Sequence, residues 1–241
     1  MTRWVLVQGS RYAWYRFWRD ADRLPGTVWR RWTQTLLVGF LLCAAIAFAI
    51  TYWTRLQVEQ GWLQEWDAHT LPVLAEALPL TFPRAITWES PGNSIGALPV
   101  AITFIAVMAV RGRPLLVATM AAGYGLQFAL VWIGWGYWNR SRPDLIADGI
   151  AASGLHSFPS GHTVVVLTVY GLLAYLWFQA SQSLSERLLI GGLACFWIGM
   201  IVISRLELGA HWPSDVVAGL IIGGLWLTTL IVTLRRTTAK F

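Results

Sequence analysis

Three short clusters of polar residues stand beside long apolar segments of this chain, and each contains residue types that bind or transfer phosphate. They are residues 139–143 with two arginines, residues 158–163 with a Ser-Gly-His triplet, and residues 204–215 with an arginine, a histidine and an aspartate. Guanidinium groups match phosphate oxygens in a planar, two-pronged geometry and keep their charge. The three clusters are therefore candidate parts of one phosphate-binding site.

Two histidines in these clusters are placed for nucleophilic or acid–base chemistry. His211 precedes Asp215 by four residues, a spacing that lets the carboxylate fix one imidazole nitrogen while the other faces a substrate. His162 supplies a second imidazole that could protonate a leaving oxygen. Ser160 and Gly161 open a predicted helix, whose unpaired backbone N–H groups and positive dipole end attract anions.

The composition is that of a membrane protein. Of 241 residues, 56% are hydrophobic and 12% are charged, whereas charged residues make up about a quarter of an average soluble domain. The formal net charge is +6, but most of the arginines flank apolar segments, which favours a role in membrane topology over nucleic-acid binding. Cys43 and Cys195 lie inside apolar segments, so they indicate neither a disulfide framework nor a metal cluster.

Six apolar segments predict an all-α, polytopic membrane protein with a six-transmembrane-helix bundle. Most of them approach the roughly 20 residues that a helix needs to cross the hydrocarbon core. Residues 1–32 interleave arginines with aromatic side chains and are predicted to be a cytoplasmic or interfacial segment before a membrane domain at residues 33–241. The six segments cover residues 33–54, 95–110, 114–133, 160–178, 188–204 and 216–234.

The distribution of positive charge predicts the orientation in the membrane, because cytoplasmic segments are enriched in lysine and arginine. With a cytoplasmic N-terminus, most of the cations fall on the inner side, including Arg111, Arg113, Arg187 and the single lysine, Lys240. Both termini are then cytoplasmic, and all three polar clusters emerge together on the outer face. We expect an integral, multi-pass protein of the cell (inner) membrane.

The clusters resemble the motifs of the type 2 phosphatidic acid phosphatase family, which shares its site with the vanadium haloperoxidases. The family pattern is Lys-x6-Arg-Pro, then Pro-Ser-Gly-His, then Ser-Arg-x5-His-x3-Asp. The second motif is present at residues 159–162, and the third runs from Ser204 through His211 to Asp215. The resemblance covers a catalytic core at about residues 114–234.

The first motif departs from the family pattern at one position. Arg142-Pro143 is present, but Trp135 stands seven residues before Arg142, where the family has lysine. Arg140 is a candidate replacement cation, and with equal reason an ordinary interface anchor. If nothing compensates, the loss of one charged contact weakens phosphate binding or transition-state stabilisation by about 1.5–3 kcal/mol.

The resemblance implies a lipid phosphatase that works through a phosphohistidine. His211 would attack phosphorus, Asp215 would orient its imidazole, and His162 would protonate the leaving group. The phosphate oxygens would be held by Arg142, Ser160, Gly161, Arg205 and Arg140. The family uses no metal and no cofactor. The expected partners are a lipid phosphate substrate and membrane lipids, with no nucleic acid, and the sequence indicates no oligomeric state.

The residues leave two alternatives open. A phosphotransferase would use the same His211 nucleophile but pass the phosphate to a lipid hydroxyl in place of water. A catalytically impaired relative that binds or transports lipid is the second alternative, because Trp135 replaces the family lysine. For the leading hypothesis, a hydrolase, the expected substrate is of the phosphatidic acid, phosphatidylglycerophosphate or undecaprenyl diphosphate type.

Overall fold

Each apolar segment of the sequence folds into a helix. The structure is a computed structural model, and it describes residues 2–77, 81–146, 149 and 156–237. Within these residues there are ten α-helices and no β-strand. A 3-10 turn at Ser90–Gly92 precedes α5, and a π-helical turn at Leu167–Gly171 joins α7 to α8. The helices are α1 (Thr2–Asp22), α2 (Gly26–Glu59), α3 (Trp62–Ala77), α4 (Phe82–Glu89), α5 (Ser94–Val110), α6 (Pro114–Tyr137), α7 (Gly161–Val166), α8 (Leu172–Ala180), α9 (Leu184–Glu207) and α10 (Pro213–Thr237).

Six helical stretches in the described residues are long and apolar enough to cross a membrane. They are α2, Phe82–Val110 with α4 and α5, α6, Gly161–Ala180 with α7 and α8, α9, and α10. Each reaches the roughly 20 residues required for one crossing. The prediction of an all-α protein with a six-helix membrane bundle is confirmed.

The N-terminal segment forms a helix of its own at one end of the bundle. α1 packs against α5 and α6, and the carboxylate of Asp20 lies against Gly112 in the turn between those two helices. α2 begins at Gly26, so residues 26–32, grouped by sequence with the N-terminal segment, form the first turns of α2. Pro25 favours the break because its ring disfavours a helical conformation in the preceding residue. The interfacial location of this segment stays a prediction, and Lys240 lies outside the described residues.

The residues between α2 and α5 fold into two further helices. α3 packs against α2, α9 and α10, and α4 packs against α9. Both lie at the end of the bundle where α2, α6 and α9 end and where α5, α7 and α10 begin. The first polar cluster follows α6, the second leads into α7, and the third joins α9 to α10. All three therefore lie at the same end of the bundle as α3 and α4.

α10 is the helix around which the bundle packs. It contacts α2, α6 and α7, and its Trp226 is fully buried, with Nε1 donating to the Gly123 carbonyl at 3.0 Å. Gly219 lets α10 approach the start of α7, because a Cβ at this position would lie 2.9 Å from the carbonyl oxygen of Ser160. Small residues commonly permit such close backbone contact between membrane helices. This contact sets the distance between the second and third polar clusters.

Replacing Gly219 by alanine is expected to destabilise the fold, because the added methyl group pushes α10 away from the backbone of Ser160. Overpacking of this kind costs about 1–3 kcal/mol. The matched control is Gly224→Ala in the same helix, where a Cβ would meet no atom within 4 Å. Thermal unfolding of the purified protein in detergent measures both variants, and equal melting temperatures would contradict the tight α10–α7 contact.

Candidate active site

Backbone hydrogen bonds join the three polar clusters into one structure. The amide of Ser157 donates to the carbonyl of Arg140 at 3.1 Å, which ties the second cluster to the first. The amide of Ser160 donates to the carbonyl of Asp215 at 3.1 Å, which ties the second cluster to the third. These two hydrogen bonds hold segments that are far apart in sequence at fixed positions relative to one another at the end of the bundle.

His211 lies at the centre of the joined clusters and is only 1% exposed. Its Nδ1 is 2.9 Å from the carbonyl oxygen of Ser157 and 3.6 Å from Oδ2 of Asp215. A carbonyl oxygen can only accept a hydrogen bond, so Nδ1 carries the proton and Nε2 carries the lone pair. Burial lowers the pKa of His211 from 6.5 to about 4. The imidazole is therefore neutral at physiological pH, with Nε2 available as a nucleophile.

Asp215 is fully buried behind His211, and donors hold both of its oxygens. Oδ2 accepts from the hydroxyl of Ser157 at 2.5 Å and from the amide of Trp212 at 2.9 Å. Oδ1 accepts from Nη1 of Arg140 at 2.7 Å. These bonds fix the carboxylate beside the imidazole, and the carbonyl of Ser157 shares the task of orienting the ring.

Arg140 is bound by protein groups at the centre of the joined clusters, and its role as a phosphate-binding residue stays a prediction. The side chain is 4% exposed and its terminal nitrogens are occupied by protein groups. Nη1 donates to Ser214 Oγ and Asp215 Oδ1, both at 2.7 Å, and Nη2 donates to Asp67 Oδ2 at 2.6 Å and Gln64 Oε1 at 3.1 Å. Two buried carboxylates neutralise the guanidinium, so its charge supports Asp215.

Asp67 completes this buried ion cluster from α3. Its Oδ1 accepts from the amide of Ser214 at 2.9 Å, and its Oδ2 accepts from the hydroxyl of Ser214 at 2.5 Å. The rings of Trp138 and Trp212 lie 5.1 Å and 5.2 Å from the guanidinium carbon of Arg140, within cation–π range. The first residues of α10 are thereby tied to α3 and to the loop after α6.

The two remaining motif arginines have different surroundings. Nη1 of Arg142 donates to the carbonyl of Ala210 at 2.5 Å, which places its half-buried guanidinium beside His211. Burial lowers the pKa of Arg142, but a guanidinium keeps its charge near neutral pH. Arg205, on the last turn of α9, contacts the carboxylate of Glu89 through Nη1.

His162 stands at the start of α7 beside the same carboxylate. Its Nε2 is 3.0 Å from Oε2 of Glu89, the oxygen that also contacts Arg205. One oxygen of Glu89 is therefore shared by the predicted general acid and by one of the predicted phosphate-binding arginines.

Ser160 and Gly161 lie where the sequence places them, at the entry to α7. Ser160 is buried and its Oγ accepts from Thr163 Oγ1 at 3.0 Å. The indole of Trp135 packs against Gly161, since a Cβ on that glycine would be 3.4 Å from the ring. Its Nε1 donates to the Pro159 carbonyl at 3.3 Å, and the ring stacks on His156 with centroids 6.0 Å apart. An aromatic side chain thus supports the second motif where the family has a cation.

Three residues around the histidines are not among the predicted site residues. Ser157 lies just before the second motif and bonds both His211 and Asp215, while Asp67 and Glu89 come from α3 and α4. For Asp67 and Glu89 the available signal was the free-energy cost of an acidic side chain within or beside an apolar segment. Such a residue is rarely kept without a partner or a function. The partners of Asp67 and Glu89 are more than 70 residues away and those of Ser157 are 54 and 58 residues away, so no local pattern identifies them.

The acidic residues of the site are bound by arginines. Asp67 and Asp215 share Arg140, and Glu89 contacts Arg205. In the part of the chain that the structure describes, no group of three or more His, Cys, Asp or Glu residues could hold a metal ion. Metal-independent chemistry stays a prediction.

Replacing Asp67 by alanine is expected to destabilise the protein, because Arg140 loses one of its two carboxylates while it stays buried. Breaking a buried ion pair by removing one partner costs about 3–5 kcal/mol. Glu65→Ala is the control, since Glu65 is an exposed acid on the same helix. If both variants melt in detergent at the temperature of the unmodified protein, the buried ion cluster does not stabilise the fold as predicted.

Named relatives of the chain are phosphatases. It is 38% identical over 103 residues to lipid A 1-phosphatase of Rhizobium etli, an alignment that covers 38% of this chain and 38% of that protein. It is 33% identical over 78 residues to phosphatidylglycerophosphatase B of Haemophilus influenzae, with 32% of this chain and 31% of that protein covered. The alignments therefore span less than half the length of these relatives.

The fold is similar to the crystal structure of a transmembrane PAP2-type phosphatidylglycerolphosphate phosphatase from Bacillus subtilis. The TM-score is 0.66 and the identity 21%, with 85% of this chain and 96% of that chain covered, so the likeness concerns the fold. The sequence profile of the PAP2 superfamily matches residues 114–239, which is more than half of the chain and contains all three motifs. The chain belongs to the PAP2 superfamily, that of the type 2 phosphatidic acid phosphatases.

Proposed function

We propose that this protein is a membrane phosphatase that hydrolyses a lipid phosphate or diphosphate through a phosphohistidine on His211. The observation that carries the proposal is the environment of this imidazole. Its Nδ1 faces the Ser157 carbonyl, and burial lowers its pKa to about 4, so Nε2 holds its lone pair at neutral pH. A buried, neutral and oriented imidazole is what nucleophilic catalysis requires.

The proposed reaction has two steps that use both histidines. First, Nε2 of His211 forms a bond to phosphorus while the P–O bond to the lipid breaks, and His162 gives a proton to the departing oxygen. The buried carboxylate of Asp215 stabilises the resulting imidazolium of His211. Water then attacks phosphorus, its proton passes to His162, and the P–N bond breaks to release phosphate and regenerate both side chains.

Arg142 and Arg205 are the cations proposed to hold the phosphate, with the backbone of Gly161 and Ser160 beside them. Charged donors aimed at the oxygens match the charge that spreads over them during transfer. Because Arg140 is neutralised and Trp135 replaces lysine, this set has one cation fewer than the family pattern. We expect weaker phosphate binding than in a lysine-containing site, by about 1.5–3 kcal/mol if nothing compensates.

The lipid nature of the substrate is supported by the position of the site and by the named relatives. The site lies at the end of a bundle of six helices that are apolar enough to span a membrane. The relatives act by name on lipid A and on phosphatidylglycerophosphate. A phosphate presented at the membrane surface on a lipid would reach such a site without leaving the bilayer.

Purified protein is expected to release inorganic phosphate from at least one member of a lipid panel. The panel holds phosphatidic acid, phosphatidylglycerophosphate, undecaprenyl diphosphate and lipid A. His211→Ala should abolish release, by at least roughly 10³-fold, because the nucleophile is removed. Rapid quenching with ³²P-labelled substrate should trap acid-labile label on the unmodified protein alone. His69→Ala is the control, since His69 is exposed on α3.

Two results would contradict the hydrolase. Release from no lipid of the panel, with the protein correctly folded, would favour the impaired lipid-binding relative. A phosphorylated lipid product in place of free phosphate, still dependent on His211, would favour the phosphotransferase.

We further propose that the site faces the outside of the cell (inner) membrane and that both termini are cytoplasmic. The support is the concentration of arginines at the opposite end of the bundle. That end carries α1 with Arg16 and Arg19, the α5–α6 turn, and the C-terminal end of α10. Cytoplasmic segments are the ones that accumulate arginine.

A membrane-impermeant maleimide should label Ser141→Cys, but not Ser183→Cys, in intact cells. Ser141 is exposed beside the site, and Ser183 is exposed in the turn before α9 at the other end of the bundle. The background strain carries Cys195→Ala, because Cys195 is an exposed native thiol. The reverse labelling pattern would place the active site in the cytoplasm.

A further inference from the structure

Glu89 links two residues of the proposed mechanism although it lies outside every motif. It is the last residue of α4, and its Oε2 contacts both His162 Nε2, at 3.0 Å, and Arg205 Nη1. The side chain is half-buried at the end of the bundle that holds the site. A carboxylate in this position either orients the imidazole or competes with phosphate for the two cationic groups.

The surroundings of the His162 ring show which of its edges remains accessible. Nε2 is buried at ion-pair distance from Glu89, 3.0 Å from Oε2, but its N–H is not aligned for a hydrogen bond, and Cδ2 faces Gly92, where a Cβ would lie 3.3 Å away. The side chain as a whole is nevertheless 24% exposed. Because Nε2 and Cδ2 are covered, we assign the accessible part to the opposite edge of the ring, which carries Nδ1 and Cε1.

α4 is anchored on the third motif and holds Glu89 in place. Ala85 is buried against Leu208 and Ala210 in the turn between α9 and α10. Trp88 packs edge-on against Phe196 and Trp197 of α9, with ring centroids 5.9 Å and 5.8 Å apart. Because this packing fixes the residue before Glu89, the carboxylate approaches His162 from a rigid support.

We infer that Glu89 is the positioning residue of His162: its carboxylate forms an ion pair with the Nε2 side of the protonated ring, so that the Nδ1 side gives its proton to the leaving oxygen. The inference rests on the proposed phosphatase function. As the P–O bond breaks, the leaving oxygen takes the Nδ1 proton and His162 becomes neutral. The proton of the attacking water later restores Nδ1–H. The carboxylate stabilises the protonated imidazole, which is the form able to act as an acid.

The test compares two substrates that differ in their need for an acid. A lipid alkoxide is a poor leaving group and requires protonation, whereas the phenolate of p-nitrophenyl phosphate departs without it. Glu89→Gln keeps the shape of the side chain but removes its charge. We expect the rate of leaving-group release in a single turnover, before water attacks the phosphohistidine, to fall by about 10- to 100-fold on phosphatidic acid, or on whichever panel lipid is best, and to stay within about threefold on p-nitrophenyl phosphate.

Three further variants make the test specific. His162→Asn should show the same split between the two substrates, and adding Glu89→Gln to it should cause no further loss, because both changes disable one acid. Glu65→Gln, an exposed acid on α3, should change neither rate. Unchanged melting temperatures in detergent would confirm that Glu89→Gln folds normally.

Several outcomes would overturn the inference. Equal losses on both substrates would make Glu89 a structural or phosphate-site residue, and an unchanged rate on the lipid would leave it without a role in catalysis. A lower KM on both substrates with kcat unchanged would identify it as an anion that competes with phosphate. An unmodified protein inactive on both substrates would overturn the phosphatase proposal itself, and the role of Glu89 with it.

Discussion

The arrangement of the active site depends on a buried ion cluster of Asp67, Arg140 and Asp215. Each of these side chains is at most 4% exposed, and burying an ion costs several kcal/mol unless partners replace the lost water. Here each carboxylate oxygen has a donor: hydroxyls, backbone amides and the guanidinium supply them to Asp67 and Asp215. The cluster ties α3, the loop after α6 and the start of α10 together, and the position of His211 follows from it.

Burial and the carboxylates of the cluster act on the pKa of His211 in opposite directions. Two carboxylates share one guanidinium, so the group as a whole carries an excess of negative charge next to the imidazole. The free ring is neutral because burial lowers its pKa to about 4. The proposed phosphohistidine would carry positive charge on the ring, and the excess negative charge behind it would then be compensated. Burial thus favours the neutral ring of the free protein, and the carboxylates would favour the imidazolium of the proposed intermediate.

The helices before the family core contribute to both histidines. α3 reaches His211 through Asp67, Arg140 and Asp215, and α4 contacts His162 directly through Glu89. The family match begins at residue 114, so Asp67 and Glu89 both lie outside it. The segment between α2 and α5 therefore helps to hold the site in place. Its Glu89 covers one edge of the His162 ring and leaves the other accessible.

Much of this protein could be predicted from its residues in order, because membrane-spanning helices and short motifs are local patterns. Apolar runs of crossing length predicted the six spans, and the spacing of His211 and Asp215 predicted their pairing. The protein partners of Arg140 could not be predicted, since a guanidinium near a phosphate motif can bind either phosphate or carboxylate. The structure decided for carboxylate by bringing Asp67 from α3 to its other side. Ser157, in the loop before α7, and Glu89, at the end of α4, likewise met their partners only through tertiary contacts. Such contacts cannot be predicted from sequence spacing, because they join residues at any separation along the chain.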